Sequence, residues 1–175
     1  MDRSDHVRAV YAHYGLAMYL SQCLEQSIFI HLMFFDLFPK QVLDFKDTEH
    51  WQREFERYET QELGKTMGQI IQKLKEAGQP TEEIKTSLAE ALKARNRLAH
   101  KYFSEHAIPF TQQSGRDAMI QELEGIQSMF RAVAKALDDI TMPVAREFGL
   151  TEELEKAAMD ELMAIHGFPP ESQDV

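Results

Sequence analysis

Cysteine is almost absent from this sequence of 175 residues. Cys23 is the only one, so an intrachain disulfide and a cysteine-based zinc site are both excluded. Long apolar runs are also lacking: the most apolar stretch, IFIHLMFFDLF (28–38), is interrupted by His31 and Asp36. A membrane span needs about 20 apolar residues, and the charged start MDRSDHVRAV does not resemble a secretory signal. We therefore expect a cytoplasmic protein that does not enter the membrane.

Positive charge is in short supply, because 19 Lys and Arg face 29 Asp and Glu, which gives a net charge of −10. Such a balance disfavours broad, nonspecific nucleic-acid binding, which depends on clustered cations. One segment departs from it: ALKARNRLAHKYF (91–103) contains Lys93, Arg95, Arg97 and Lys101 and no acid. A solvated run of cations is one interpretation, and a local anion-binding site is the other.

No convincing alternating pattern of β-strands is present, and the six prolines and eight glycines fall mostly where helices would begin or end. The spacing predicts an all-α fold, an up-and-down bundle of four to five helices. We expect one domain over residues 1–168 and a flexible tail over residues 169–175. The predicted helices span about 5–38, 48–60, 61–77, 81–103, 116–140 and 151–167. The first should end before Pro39, the third should end at Gly78, and the fourth should be capped by Thr81. We also expect a break near Thr60 and a kink at Pro143.

Arg95 interrupts the apolar face of the predicted helix over residues 81–103. At about 100° per residue, a stripe roughly 120° wide has Arg95 near its centre, and its apolar members are Ile84, Leu88, Ala91, Leu92, Leu98, Ala99 and Tyr102. Moving a guanidinium out of water costs several kcal/mol of free energy unless the group is paired. It therefore needs a carboxylate, a bound anion or water. Glu25, on the apolar stripe of the first helix, is the candidate carboxylate, and we predict a supporting Glu25–Arg95 contact. His31 is predicted to be a core histidine that makes a hydrogen bond.

Arg95, Asn96, His100 and Tyr102 admit two interpretations. In the first they are structural, with Arg95 tying helices together. In the second they handle phosphate, because an arginine holds a phosphodiester through two hydrogen bonds and a histidine serves as general acid or base. That chemistry needs no metal or cofactor. On one helix Arg95 and His100 point about 140° apart, so a two-fold homodimer would bring Arg95 of one chain toward His100 of the other.

The segment Arg95-Asn96-Arg97-Leu98-Ala99-His100-Lys101-Tyr102 resembles the Arg–polar–x–x–x–His signature of the HEPN superfamily. These are small all-α domains, many of them metal-independent endoribonucleases in toxin–antitoxin, phage-defence and RNA-processing systems. With Tyr102 the segment reads Arg-x4-His-x-Tyr, a form that resembles HEPN toxins paired with minimal nucleotidyltransferase antitoxins. In that branch the resemblance implies that the antitoxin attaches AMP to the tyrosine.

The resemblance implies a role for each matching position. Arg95 would contact the scissile phosphate, Asn96 would position it or the histidine, and His100 would be the acid–base. Tyr102 would support the site or receive the modification. Apart from the resemblance, the neighbouring cations Lys93, Arg97 and Lys101 are expected to bind the substrate.

The expected function is therefore a HEPN-like, metal-independent endoribonuclease or toxin-like protein that cuts single-stranded RNA as a homodimer, with a nucleotidyltransferase-type antitoxin as a further partner. The alternatives are a non-catalytic helical interaction or ligand-binding module and, because the chain is acidic, an antitoxin or immunity partner.

Overall fold

The computed structural model describes residues 3–43, 46–76, 78 and 82–167. This part of the chain is helical throughout and contains no strand, so the predicted all-α class is confirmed. The elements are α1 (Arg3–Leu32), a π-helical turn (Met33–Leu37), α2 (Phe38–Leu43), α3 (Thr48–Leu63), α4 (Met67–Glu76), α5 (Glu82–His100), α6 (Tyr102–Glu105), a 3-10 turn (Pro109–Thr111), α7 (Gln113–Glu147) and α8 (Glu152–Ile165).

The core lies between α1 and α7, and α4 and α5 close its side. Polar contacts give the directions: His6 meets Asp117 and His31 meets Thr141, so α1 and α7 run parallel. Tyr14 of α1 bonds to Leu98 of α5. Glu25, which lies later in α1, contacts Arg95, which lies earlier in α5, so these two helices are antiparallel. The fully buried side chains follow helical spacing, as Leu24, Ile28 and Leu32 do on α1 and Leu123, Phe130 and Leu137 on α7.

The first helical segment does not end before Pro39, and that prediction is wrong. A π-helical turn at Met33–Leu37 carries the backbone onward, with the Phe38 N–H bonded to the Met33 carbonyl five residues earlier. Pro39 then lies in the first turn of α2, directly after the π-helical turn.

Other boundaries also differ from the prediction. The helix break falls at residues 64–66 instead of Thr60, and α7 continues through Pro143 to Glu147. Gly78 has φ 75°, as expected of a residue that ends a helix. The predicted cap Thr81 and the predicted tail at residues 169–175 lie outside the described residues.

The last helix, α8, begins as predicted, with the Thr151 hydroxyl accepting a hydrogen bond from the Leu154 N–H at 3.3 Å. None of its side chains is buried. Leu154, Met159, Leu162 and Ile165 are all more than half exposed. In the described ranges, no helix is long and apolar enough to cross a membrane.

Candidate functional site

The C-terminal end of α5 is fixed by two tyrosines. Tyr102 is 1% exposed and its hydroxyl donates a hydrogen bond to the Met119 carbonyl at 3.1 Å, which ties the chain just after α5 to α7. Burial, and then the charge of Glu122, raises the pKa of Tyr102, so its hydroxyl stays protonated as a donor. Tyr14 donates to the Leu98 carbonyl at 3.0 Å, a group in the last turn that has no helical partner. Tyr102 thus holds the site in place from within the core.

The predicted contact between Glu25 and Arg95 is present. Arg95 Nε lies 3.3 Å from Glu25 Oε1, and the two side chains are 27% and 24% exposed. Glu25 Oε1 accepts no aligned hydrogen bond, so the interaction is a close charge pair. The guanidinium therefore lies in a partly solvated seam between α1 and α5. Arg95 is thus partly exposed although it lies within the apolar stripe, and Ala99, predicted to belong to that stripe, is exposed.

An open groove of about 400 Å³ lies on the outer side of the same helix end. Its lining consists of Lys93, Asn96, Arg97, His100, Lys101 and Glu105. It therefore brings the three predicted substrate-binding cations together with two of the four predicted catalytic residues. Arg95 and Tyr102 do not line it. Asn96 connects the groove to the seam, because its Oδ1 accepts a hydrogen bond from Arg95 Nη1 at 3.2 Å.

His100 is exposed and makes no hydrogen bond or ion pair within the part of the chain that the structure describes. Its imidazole is therefore open to a ligand in the groove. The structure does not bring it together with Arg95 in one chain, because one side chain faces α1 and the other faces solvent. This divergence of the two side chains is the one that helix geometry predicts.

Arg97 is engaged by acids of its own chain. Its Nε donates to Glu105 Oε2 at 2.6 Å and its Nη1 donates to Glu122. Burial lowers the pKa of Arg97, but these hydrogen bonds outweigh it and leave the pKa raised. His106 meets Glu122 as well, at 2.9 Å. The positive charge that the groove offers to a ligand therefore comes mainly from Lys93 and Lys101.

A second charged cluster, which sequence reasoning missed, lies at the other end of the bundle. Lys73 Nζ bridges two buried carboxylates, 2.7 Å from Glu62 Oε1 and 3.1 Å from Asp36 Oδ2. Tyr58 donates to Asp36 at 3.1 Å, and the Lys73 ammonium lies 4.0 Å from the centre of its ring. A cavity of about 240 Å³ opens beside these residues. One feature of the sequence pointed to this cluster, namely the position of Asp36 inside the apolar run 28–38.

The chain matches no protein-family model, no curated protein and no solved structure. Within the described ranges, no group of three or more His, Cys, Asp and Glu side chains is arranged to hold a metal ion.

Proposed function

We propose that this protein is a HEPN-like, metal-independent endoribonuclease that cuts single-stranded RNA as a homodimer, with its acid–base at His100. The observation that carries the proposal is the groove at the end of α5, where an unengaged imidazole lies among Lys93, Asn96 and Lys101 in a chain whose net charge is −10. The Arg-x4-His-x-Tyr motif supports it.

In the proposed reaction, His100 removes the proton from a ribose 2′-hydroxyl, and the 2′-oxygen attacks the adjacent phosphorus. The bond from phosphorus to the 5′-oxygen breaks, and the leaving 5′-oxygen takes a proton from water. The imidazolium of His100 gives its proton to the hydroxide that results, and a cyclic 2′,3′-phosphate remains. Negative charge grows on the phosphoryl oxygens in the transition state, where the guanidinium of Arg95 from the second chain stabilises it. Lys93 and Lys101 attract the RNA backbone, and Asn96 orients Arg95.

The direct test is digestion of single-stranded RNAs in the presence of EDTA, on protein of established oligomeric state. The wild type is expected to cut and to leave cyclic phosphate ends, whereas His100→Ala and Arg95→Ala are each expected to lose at least about 100-fold in rate. The matched control is His166→Ala, an exposed histidine near the end of α8, which is expected to cut as the wild type does. A folded wild type that is inert on varied RNAs, as both variants are, would refute the nuclease.

In the proposed dimer each site combines Arg95 of one chain with His100 of the other, and this arrangement can be tested separately. Mixing Arg95→Ala with His100→Ala protein creates heterodimers that each hold one intact site. About one quarter of wild-type activity should return when subunits exchange freely, since half of the dimers are heterodimers and each has one site of two. No recovery after verified exchange would place both residues in the same chain's site.

A second candidate function is a non-catalytic interaction or ligand-binding module, and the pairing of Arg95 with Glu25 and of Arg97 with Glu105 favours it. In this case the arginines stabilise the bundle, and Arg95→Ala lowers stability or weakens the dimer without changing any RNA signal. The RNA assay and a thermal melt on the same variant distinguish the two functions.

A further inference from the structure

The outward side of α1 carries no charge over most of its length. Between Tyr11 and Ile30, every exposed residue is apolar, aromatic, small or an uncharged amide, and we call this set the α1 outer face: Tyr11, Ala12, Gly15, Leu16, Tyr19, Gln22, Gln26 and Ile30. Tyr19 is 61% exposed and Tyr11 is 53% exposed. In a chain in which 27% of residues are charged, a solvated helix normally shows its charges on this side.

We propose that the α1 outer face is the surface through which two copies of this chain form a dimer. Two copies of a protein with a net charge of −10 repel one another. A two-fold contact also places each patch against its own copy, so any charge on the patch meets the same charge. An uncharged face avoids that repulsion. The face follows α1 for about 30 Å, the length of some 20 helical residues.

Gly15 supplies the shape that such a contact needs. It lies in the interior of α1, where glycine is unfavourable to a helix, and a Cβ placed there would meet no atom within 4 Å. Nothing inside the subunit therefore requires a glycine. With Ala12 one turn earlier, it leaves a shallow notch into which a large side chain of a second copy, such as Tyr19, fits.

The other exposed apolar helix, α8, is a poorer candidate for self-association. Its first turn carries Glu152, Glu153 and Glu155, and Asp160 and Glu161 follow on the same short helix. Two copies of α8 would bring these carboxylates together. The second copy therefore docks on α1.

The inference deepens the proposed function and rests on it in one respect, the need for a second subunit at the site. The α1 outer face adjoins the seam that holds Arg95, because Glu25 extends from α1 between the exposed residues Gln22 and Gln26. At the other end, the Tyr11 ring lies 5.7 Å from the ring of Phe103, just after the motif. A copy docked on this face lies beside the residues that need a partner.

The test is sedimentation of the full chain over a wide concentration range. The wild type is expected to be a dimer, and Tyr19→Glu is expected to raise the dissociation constant at least about 100-fold, because two carboxylates meet across the two-fold axis. The matched control is Ile165→Glu, at a residue of α8 that is 70% exposed and not part of this face, and this variant should dimerise as the wild type does. Circular dichroism checks that each variant is folded.

A second variant, Gly15→Leu, removes the notch without disturbing the subunit. Leucine favours the helix, so the fold is retained while the dimer weakens at least about tenfold. Dimers of Tyr19→Glu and Gly15→Leu as tight as those of the wild type would overturn the interface, and so would a wild type that stays monomeric. A dimer formed elsewhere that still cuts RNA through His100 overturns the interface alone. An α1 dimer that never cuts RNA overturns the nuclease alone.

Discussion

Replacing Lys73 with methionine should destabilise the protein strongly, because this lysine joins the carboxylates of Asp36 and Glu62. The Glu62 side chain is 2% exposed and that of Asp36 is 11% exposed, whereas Lys73 itself is 24% exposed. Removing one member of a buried pair costs about 3–5 kcal/mol. Each carboxylate keeps one other lysine, Lys65 for Glu62 and Lys40 for Asp36, so we expect the lower end, about 3 kcal/mol.

Urea unfolding followed by circular dichroism measures this loss. With a slope of about 2 kcal/mol per molar, the midpoint of Lys73→Met should fall by about 1.5 M relative to the wild type. The control is Lys135→Met, since Lys135 is 74% exposed and pairs with Asp139 at 2.6 Å. An exposed pair of this kind contributes less than about 1 kcal/mol. If the two variants lost similar, small amounts of stability, the cluster would not be the buried network described above.

The Lys73→Met variant should also change how the stability of the protein depends on pH in the acidic range. Burial raises the pKa of Asp36, but hydrogen bonds and charges from Lys40 and Lys73 outweigh it, so the pKa is lowered from its ordinary value of 3.8. Asp36 therefore contributes stability above its unfolded pKa, and that contribution is lost as pH falls through the folded pKa. Without Lys73 the folded pKa rises, so Lys73→Met should begin to lose stability at a higher pH than the wild type. Acid titrations of both proteins, followed by circular dichroism, test this order.

Three further predictions concern other parts of the bundle. A double-mutant cycle with Glu25→Gln and Arg95→Met should give a coupling of about 0.5–1 kcal/mol because the pair is partly exposed, and additive losses would contradict the pairing. Burial lowers the pKa of His31 to about 4 from 6.5. The unfolded chain then binds a proton that the native state does not, so stability should fall by about 3 kcal/mol as pH drops from 6.5 to 4, and His31→Leu should abolish that slope in pH-dependent urea melts. At Gly115 a Cβ would lie 2.0 Å from a backbone carbonyl oxygen, so Gly115→Ala should lower the melting temperature. Gly125→Ala, where a Cβ meets nothing within 4 Å, should leave it unchanged or raise it.

Periodicity was enough to predict the fold class, because α5 and α7 have the apolar spacing of amphipathic helices and the second half of α1 is apolar nearly all round, as in the central helix of a bundle. It also predicted the Glu25–Arg95 contact, since two ionisable groups on facing apolar stripes have few other partners. His31 was predicted correctly as a core histidine, and its Nδ1 lies 2.7 Å from the Thr141 hydroxyl. The Thr141 hydroxyl donates to the Leu137 carbonyl at 2.8 Å, so it accepts from the imidazole.

Tertiary packing decided what sequence reasoning could not. Pro39 was expected to end a helix, but a π-helical turn ahead of it changes the hydrogen-bond register. Arg97 was expected to face a substrate, yet Glu105 and Glu122, eight and 25 residues away, occupy its guanidinium. No local pattern reveals such partners, because they meet only when α5, α6 and α7 have packed.

The π-helical turn at Met33–Leu37 changes the helical phase between α1 and α2. Each extra residue accommodated in a helix rotates everything beyond it by about 100°. Deleting a single residue from this turn would restore an ordinary register and swing Asp36 away from Tyr58 and Lys73. An insertion or deletion there would therefore rotate the whole segment that follows.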